Sequence, residues 1–355
     1  MDLSFKIADP SHQPNDTVQV LKFCPNNPQL LAAGSWDETV RVYQLQQNKT
    51  LTQQVNINVG GPALDLSWTS SGTGIIVATG AANNNLLFLN LATSGSPPTP
   101  IGTHPGVLCI YYIMMNQMEL LLTLGADKSL RFWMQNGGRW EQKVSVPLKK
   151  MPVCLDVDLT SNLVLIGLEC DLGIYRLNKL MSGDTSVQYF ELQLKSPINC
   201  LAIRDRATEV GIQDFKQNDR SFVACASDGR ASMSELSLDA NSTKKDIILF
   251  KAHSKGSNLY SINACGFSKL SQYCMYTCGS DGHIYFWDTV RKLKLTSYIV
   301  SENIPICSAD LSANQQLFAF STGYDWSQGV WGTARCKIRP NIYIHQMTRA
   351  DHRRD

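Results

Sequence analysis

The sequence has little charge and no long uninterrupted apolar segment. Charged residues are 17% of the 355 residues, and 32 basic residues against 30 acidic ones give a formal net charge of +2. This balance excludes a polycationic surface over the whole chain and leaves room only for a local basic patch. The start, MDLSFKIADPSH, has no apolar signal core, and Asn116, Gln117 and Glu119 interrupt the most apolar window, 107–126. We therefore expect no secretion signal and no membrane insertion, and two strands with a turn at 107–126.

Paired cysteine motifs are also missing. The eleven cysteines are scattered, form no CxxC pair, and come closest together at Cys274 and Cys278. Their odd number and the absence of a signal core indicate reduced thiols that pack as small apolar side chains in an intracellular protein. A metal site is the alternative interpretation of so many thiols. We predict no metal and no cofactor.

Catalytic motifs are lacking as well. The chain contains no GxSxG, HExxH or GxxxxGK[ST] segment, and Gly72 and Gly74 are not followed by the third glycine of a nucleotide loop. A His, Ser and Asp set suggests a hydrolase triad, but that set recurs along the chain whereas an active site needs one copy. The sequence predicts a protein that is not an enzyme, and catalysis in a central channel remains the alternative.

A repeat is present instead. Each copy has an apolar run, then small residues and an acidic or amide residue, then an alternating strand that often ends in an aromatic residue. The seven anchor positions are Asp37, Asn83, Asp127, Asp171, Asp228, Asp281 and Asp325. Their spacings, 44 to 57 residues, match the period of a four-stranded propeller blade with insertions in two repeats.

An apolar strand precedes the anchor in several copies. Examples are 18–25, 62–69, 197–204 and 260–268. The alternation of apolar and polar residues within the repeats indicates half-buried strands, and no window sustains a helical period. We predict an all-β, seven-bladed WD-repeat β-propeller that forms a single domain over 1–347, with a short tail at 348–355.

Two repeats carry a His, Asp and Trp set with the spacing of a WD-repeat hydrogen-bond network. The sets are His104, Asp127 and Trp133, and His253, Asp281 and Trp287, and the six-residue spacing recurs between Asp37 and Tyr43. In such a network, the Asp of the turn accepts hydrogen bonds from the backbone and from the His. Buried polar groups must be paired, so these sets are expected to fix the turn geometry of their blades.

The two ends of the chain are expected to meet. The last strand is predicted at Asn341–Met347, and the alternating segment Leu3–Ala8 precedes the first repeat. We predict that Leu3–Ala8 forms the outer strand of the last blade beside 341–347, because this removes an exposed sheet edge. The tail, TRADHRRD, has mixed charges and is predicted to be disordered.

Several segments resemble one protein family in their order along the chain. They are AGSWDETVR, SDGRASM, KAHSKGSNLYSINACGFS, GSDGHIYFWDTVRKLKL and STGYDWSQG. The chain is similar to the messenger-RNA export factors of the nuclear pore, with the propeller subunit of the mitotic spindle checkpoint as a related family. The resemblance covers 3–347 and is most specific in the fifth to seventh repeats. Gln328, Ala126 and Asn83–Asn85 depart from the family's pattern.

The resemblance implies a scaffold that binds the GLEBS-type hairpin peptide of an FG-nucleoporin and supports messenger-RNA export. The implied location is the nucleus, at the nuclear envelope and nuclear pore complex, and also the cytoplasm. The alternative is a spindle-checkpoint scaffold that binds kinetochore kinases. A substrate adaptor of protein degradation is a further alternative, because other WD-repeat propellers have that role.

The resemblance also indicates peptide-binding residues. Arg230, next to Asp228 and Gly229, is implied to hold a Glu of the motif, and a guanidinium can bind a carboxylate through two hydrogen bonds. Trp36 and Trp326, with Tyr324, are expected to form an aromatic rim that anchors the peptide. The alternatives without peptide binding are that Arg230 is solvated or pairs within its own blade, that Trp36 is a core residue, and that Tyr324 and Trp326 form a structural corner.

A basic region is the last candidate. Arg291, Lys292 and Lys294 follow the sixth repeat, and the preceding segment contains Lys244, Lys245, Lys251 and Lys255. The resemblance implies that this region contacts nucleic acid, and clustered cations would bind RNA phosphates in a salt-dependent way. An ordinary solvated loop is the alternative.

Overall fold

The computed structural model describes residues 6–7, 9–83, 85–93, 95–204, 219–237, 243–268, 274–300, 304–330 and 338–352. Over these residues, the strands form one sheet of three to five strands for each repeat, and a separate two-stranded sheet lies between the fifth and sixth of these in the chain. Apart from the first strand of the chain, consecutive strands within a sheet are hydrogen-bonded neighbours. We number these sheets blades 1 to 7 in chain order. The arrangement is that of a seven-bladed WD-repeat β-propeller, which confirms the predicted fold class.

The chain divides into two compact units. The first comprises 1–151 and 307–347 and contains blades 1, 2, 3 and 7. Its strands are β1 (Lys6–Ile7), β2 (Val18–Phe23), β3 (Leu30–Ser35), β4 (Thr39–Leu45), β5 (Thr50–Asn58), β6 (Ala63–Trp68), β7 (Gly74–Thr79), β8 (Leu86–Asn90), β9 (Thr99–Gly102), β10 (Val107–Met115), β11 (Met118–Gly125), β12 (Ser129–Asn136), β13 (Arg139–Pro147), β28 (Ile306–Leu311), β29 (Leu317–Thr322) and β30 (Asn341–Gln346). A 3-10 helix, Pro10–His12, lies between β1 and β2.

The second unit comprises 152–306 and 348–355 and contains blades 4, 5 and 6. Its strands are β14 (Pro152–Asp158), β15 (Leu163–Leu168), β16 (Asp171–Arg176), β17 (Gln188–Glu191), β18 (Ile198–Ile203), β19 (Asp219–Ala226), β20 (Arg230–Ser237), β21 (Thr243–Lys251), β22 (Ser254–Lys255), β23 (Asn258–Leu259), β24 (Ile262–Phe267), β25 (Cys274–Gly279), β26 (His283–Asp288) and β27 (Leu293–Ile299). A 3-10 helix, Leu177–Ser182, follows β16, and an α-helix, Arg349–His352, lies near the end of the chain.

The core lies between the faces of adjacent blades. The second strands of the blades are continuous apolar runs, and β7, β15 and β25 are buried along their whole length. A strand that is covered on both faces needs such a run, whereas outer strands such as β13 are mostly exposed. In the first unit, Val20, Ala32 and Ile75 belong to one apolar cluster that joins blades 1 and 2.

The apolar window 107–126 forms a hairpin, as predicted. Strands β10 and β11 pair up to Met115 and Met118, and the turn between them is Asn116-Gln117. Both turn residues have positive φ, 50° and 63°, which is the conformation of a type I′ hairpin turn. Among the described residues, no helix has the length and apolar character needed to cross a membrane.

The N-terminal strand has a different partner from the one predicted. Within Leu3–Ala8, the structure describes Lys6 and Ile7, and these pair in parallel with Thr50 and Leu51 of β5, the outer strand of blade 1. The predicted pairing with 341–347 is therefore wrong for these two residues. The apolar contact alone reaches the last blade, because Ile7 belongs to the buried cluster that includes Ile342 and Ile344.

The prediction of a disordered tail is wrong for 348–352. These residues form a short helix in which Asp351 is fully buried. The Asp351 carboxylate accepts hydrogen bonds from Tyr298 Oη at 2.5 Å and from Thr296 Oγ1 at 3.2 Å, while its backbone carbonyl lies 3.1 Å from Cys274 Sγ. Three contacts to blade 6 hold the helix. Residues 353–355 lie outside the described residues.

Candidate functional site

Blade 3 contains the predicted hydrogen-bond network. His104 is fully buried between β9 and β10, and its Nε2 lies 3.0 Å from Asp127 Oδ1. Its Nδ1 lies 2.6 Å from Thr123 Oγ1, and Trp133 Nε1 donates to the same hydroxyl at 2.9 Å. Burial lowers the pKa of His104, an effect that the hydrogen bond to Asp127 partly offsets. The network links the turn to the third strand of the blade.

Blade 6 repeats this network. His253 Nδ1 lies 2.8 Å from Asp281 Oδ1, and His253 Nε2 lies 2.9 Å from Thr277 Oγ1. Trp287 Nε1 donates to Thr277 Oγ1 at 3.0 Å. Sequence analysis predicted the His, Asp and Trp of both networks but missed the bridging Thr. The alignment of the two repeats could have found it, since the Thr stands ten residues before the Trp in both.

Blade 1 has the same Asp-to-aromatic spacing but a different network. Asp37 Oδ2 accepts a hydrogen bond from Arg41 Nη1 at 2.8 Å, and Asp37 Oδ1 accepts one from Thr39 Oγ1 at 2.5 Å. Tyr43 donates to the carbonyl of His12 at 2.7 Å. The six-residue spacing between Asp37 and Tyr43 therefore recurs, but among the described residues Arg41 and Thr39, and not a His, pair the Asp37 side chain.

Two Trp side chains form an accessible aromatic surface in the first unit. Trp36 lies in the turn after β3 and Trp326 in the segment after β29, and their ring centroids are 6.1 Å apart. Trp36 is half-buried, and its Nε1 donates to the exposed Gln19 at 3.0 Å. Trp326 is 46% exposed and has a φ of 60°, which a bulky side chain rarely adopts. We name Trp36 and Trp326 the aromatic pair.

Tyr324 packs against Trp326 of the aromatic pair. Its ring centroid lies 5.6 Å from that of Trp326, and the side chain is 9% exposed. Its hydroxyl donates to the carbonyl of Gly329, and its own carbonyl accepts from Thr17 Oγ1 at 2.9 Å. Tyr324 is thus a buried corner residue that orders the segment, while the two Trp rings remain accessible.

Arg230 lies at the start of β20 and forms an ion pair within its own turn. Its Nη1 contacts Asp228 Oδ2, and its backbone N–H donates to Asp228 Oδ1 at 3.2 Å. The Arg230 side chain keeps 26% of its surface exposed. Gly229 between them has a φ of 75°, and a Cβ there would lie 2.3 Å from the carbonyl oxygen of His253. Glycine is thus required in this turn, which orients Arg230.

The lysines of the predicted basic region have different environments. Lys244 forms an ion pair with Asp246 and is only 9% exposed. Lys245 and Lys251 lie exposed on β21. Lys292, which is exposed, extends back to β21, and its Nζ lies 3.4 Å from the carbonyl oxygen of Ile247. The structure therefore brings Lys292 beside β21, and Lys244 is neutralised by its partner.

The remaining cations lie on blade 6. Arg291 is 62% exposed, and its Nε lies 4.0 Å from Asp288 Oδ2. Lys294 Nζ lies 4.9 Å from the ring centroid of Tyr285. Lys255 is exposed in the β22–β23 hairpin. These side chains give the outer strands of blades 5 and 6 a positive surface without a single focal point.

An apolar pocket on the same strands was not predicted. It has a volume of about 240 Å³. Its walls are mostly apolar and its rim is charged, and the lining residues are Met233, Ile248, Phe250, Lys251, Met275, Trp287, Asp288, Thr289 and Lys292. The alternating pattern of apolar and polar residues indicates half-buried strands. It does not indicate that blades 5 and 6 leave a gap between their side chains.

The described titratable groups at the blade turns are arranged for structure. The His and Asp of blades 3 and 6 share a hydrogen-bond network with a Thr and a Trp, and the arrangement occurs twice. A nucleophile would need an accessible hydroxyl beside the His. Thr123 and Thr277 are fully buried, and Ser129, whose Oγ lies 3.0 Å from His104 Nε2, is only 8% exposed. The networks therefore explain the His and Asp residues without chemistry.

Comparison with known proteins agrees with this architecture. The family model described as "WD domain, G-beta repeat" matches residues 7–44 and 244–288, which fall in blade 1 and in blades 5 and 6. These segments contain the turn of Asp37 and the network of His253 and Asp281. The chain is therefore similar to WD-repeat proteins at the repeats that the sequence makes clearest.

Curated relatives extend the similarity over most of the chain. The chain is 29% identical to "mRNA export factor rae-1" of Caenorhabditis elegans over 345 residues, which are 94% of this chain and 86% of that protein. It is 27% identical to "Protein Rae1" of Drosophila melanogaster, over 92% and 89% of the two chains. It is 24% identical to "Poly(A)+ RNA export protein" of Schizosaccharomyces pombe, over 91% and 86%. The predicted resemblance to messenger-RNA export factors is thereby confirmed.

Proposed function

We propose that this protein is a non-enzymatic scaffold of messenger-RNA export that binds a GLEBS-type hairpin peptide of an FG-nucleoporin at the nuclear pore. The names of its relatives support the role in export. The observation that carries the peptide-binding part is the aromatic pair, Trp36 and Trp326. Two Trp rings that touch each other and solvent are unusual on a protein with no partner, and they are the side chains that most often anchor a bound chain.

Backbone strain at Trp326 adds to this argument. A residue other than glycine with a φ of 60° costs on the order of 1 kcal/mol, and the Trp326 side chain held in this way remains 46% exposed. The strained backbone nevertheless directs the ring toward Trp36. Strain that orders an exposed aromatic side chain is typical of a ligand-binding position.

Arg230 is the second proposed anchor. In the chain alone it contacts Asp228, so a glutamate of the peptide would share the guanidinium with that carboxylate. A guanidinium has five N–H donors, and Asp228 uses one of the terminal nitrogens. The exposed part of Arg230 can therefore donate hydrogen bonds to a second carboxylate while the ion pair with Asp228 stays in place.

The role of Arg230 is testable with a matched control. Arg131 forms the same kind of turn pair with Asp127 in blade 3 and is 18% exposed. Arg230→Glu should weaken binding of a synthetic hairpin peptide about 10-fold or more in calorimetry, because the introduced carboxylate repels both Asp228 and the glutamate of the peptide. Arg131→Glu introduces the same repulsion within a turn and should leave affinity unchanged. Equal affinities for wild type and Arg230→Glu would remove Arg230 from the site.

The cellular role needs a separate experiment. A tagged copy of the chain is purified from cells, and its partners are identified and compared with those of Trp36→Ala/Trp326→Ala. We expect a nucleoporin with the wild type and its loss with the variant, together with a signal at the nuclear rim. Kinetochore kinases and a kinetochore signal would instead favour the checkpoint scaffold. Recovery of ubiquitin-ligase subunits would favour a degradation adaptor.

A direct RNA contact is a second proposed activity, supported by the position of Lys292 beside β21. Exposed Lys245, Lys251 and Arg291 add positive charge on the same two blades. Binding of a short RNA should weaken steeply as salt rises, because phosphate contacts release counterions. Lys292→Glu should reduce both the affinity and the salt slope. A flat response to salt would contradict phosphate binding.

A further inference from the structure

We propose that Cys200, Cys225 and Cys265 form a binding site for one thiophilic metal ion, held by three sulfur atoms. The three Sγ atoms all lie within 4.8 Å of one another. They come from three different strands, β18, β19 and β24, so the fold and not a local motif brings them together. This is why the scattered cysteines gave no metal motif in the sequence.

Strand register places two of the sulfurs side by side. Cys200 and Cys225 are direct partners in the antiparallel pairing of β18 with β19. Cys265 lies on the first strand of blade 6 and belongs to the apolar cluster that contains Cys225, Ala202 and Ile262. Packing of blades 5 and 6 therefore supplies the third ligand, and the sheets on either side fix the backbone of all three.

The spacing suits a metal ion. With metal–sulfur bonds of about 2.3 Å, three sulfurs around a central ion lie about 4 Å apart. The observed upper limit of 4.8 Å requires only small side-chain adjustments to reach this distance. None of the three sulfurs of Cys200, Cys225 and Cys265 is committed to a disulfide.

The surroundings favour a soft ion over a hard one. Cys225 is fully buried and the other two cysteines are half-buried. Soft thiolates select Cu(I) and Zn(II), and structural Zn(II) sites have four ligands. The described residues offer three clustered sulfurs, so we assign the site to Cu(I). Binding releases the thiol protons to solvent.

The test is a titration of reduced, metal-free protein with Cu(I) in competition with a chromogenic chelator. Wild type should bind one ion more tightly than Cys200→Ala/Cys265→Ala does, by more than about 100-fold, because the variant loses two ligands. Cys109→Ala/Cys170→Ala removes two other half-buried thiols and should behave as wild type. Equal tight binding by wild type and Cys200→Ala/Cys265→Ala would overturn the site. A parallel titration with Zn(II) should show weaker binding; tighter Zn(II) binding would overturn the assignment to Cu(I).

X-ray absorption of the wild-type Cu(I) complex decides the point even if the variant fails to fold. The proposal requires three sulfur neighbours at one distance of about 2.3 Å. Two sulfur neighbours, or nitrogen and oxygen neighbours, would overturn it. The result does not depend on the hairpin peptide, because no peptide is present in the measurement.

Discussion

The turns of blade 6 and blade 1 have similar sequences, GSDGHIYFW and GSWDETVRVY, but use their polar residues differently. In blade 6, Asp281, His253 and Thr277 form a buried network closed by Trp287. In blade 1, no His reaches the Asp, and the turn contains the accessible Trp36. The turn of a repeat can therefore either contribute to a stabilising network, as in blade 6, or carry an accessible side chain that can bind a partner, as in blade 1.

The difference between the two turns follows from how each one pairs the carboxylate of its Asp. A carboxylate at a blade turn must be paired, and in blade 6 the His–Thr–Trp set achieves this with His253 and Thr277 fully buried. In blade 1, the Arg41 guanidinium and the Thr39 hydroxyl pair Asp37 locally. The turn residue Trp36 is then not needed for the network and can face a ligand.

The largest effect should come from the blade 6 network. His253→Ala removes the hydrogen bonds of the His253 ring to Asp281 and to the Thr277 hydroxyl in a buried site, which should cost about 3 kcal/mol. Urea denaturation measures the loss. A cost below about 1 kcal/mol would mean that the network does not stabilise the blade as described.

A smaller effect is expected in blade 1. Tyr43→Phe removes the single hydrogen bond from the Tyr43 hydroxyl to the carbonyl of His12, and the ring stays in place. The expected loss is about 1 kcal/mol in the same urea experiment. If Tyr43→Phe cost as much as His253→Ala, the two turns would be equally networked and the contrast between them would disappear.

On acidification, the stability contributed by His104 of blade 3 and by Asp37 of blade 1 should be lost in different pH ranges. Burial lowers the pKa of His104 in the folded state, so the unfolded chain takes up a proton first and stability falls as the pH drops below about 6.5. The folded-state pKa of Asp37 is also lowered, because its hydrogen bonds to Thr39, Asn15 and Arg41 outweigh the opposing effect of burial. A carboxyl with a lowered pKa contributes stability that persists until much lower pH.

The measurement compares unfolding of wild type, His104→Gln and Asp37→Asn between pH 8 and pH 5. The advantage of wild type over His104→Gln should shrink on acidification, since Gln does not titrate. The advantage over Asp37→Asn should remain nearly constant in this range. A constant difference for both variants would contradict the role assigned to His104.

The smallest stability effect should come from the aromatic pair. Trp326→Gly relieves a φ of 60° but increases the freedom of the unfolded chain, so stability should change by no more than about 0.5 kcal/mol. Differential scanning fluorimetry checks this. A large loss of stability would show that Trp326 is a structural residue, as Tyr324 is.

Local spacing explains what the sequence could predict. The blade period, the strands and the His, Asp and Trp of both networks all follow from residues that recur at fixed distances. Thr123 and Thr277 were missed because Thr is common in strands, although both stand ten residues before the Trp of their repeat. Arg41 pairs with Asp37, four residues before it, as Arg131 pairs with Asp127 in blade 3, and the sequence analysis did not single out this position.

Long-range contacts explain what the sequence did not show. The choice of β5 as the partner of Lys6–Ile7 depends on which sheet edge is nearest in the fold. Asp351 is held by Tyr298, which is 53 residues earlier in the chain. Cys200, Cys225 and Cys265 meet only because two blades pack together. None of these pairings has a local sequence signal.

The most direct test of the account is calorimetry with a GLEBS-type hairpin peptide and the Trp36→Ala/Trp326→Ala variant. Ile299→Ala, which truncates another exposed apolar side chain (57% exposed) in blade 6, is the matched control. The account predicts that the double variant loses about 100-fold or more in affinity while its unfolding midpoint stays close to that of the control. Wild-type affinity in the double variant would contradict the claim that this turn position serves recognition.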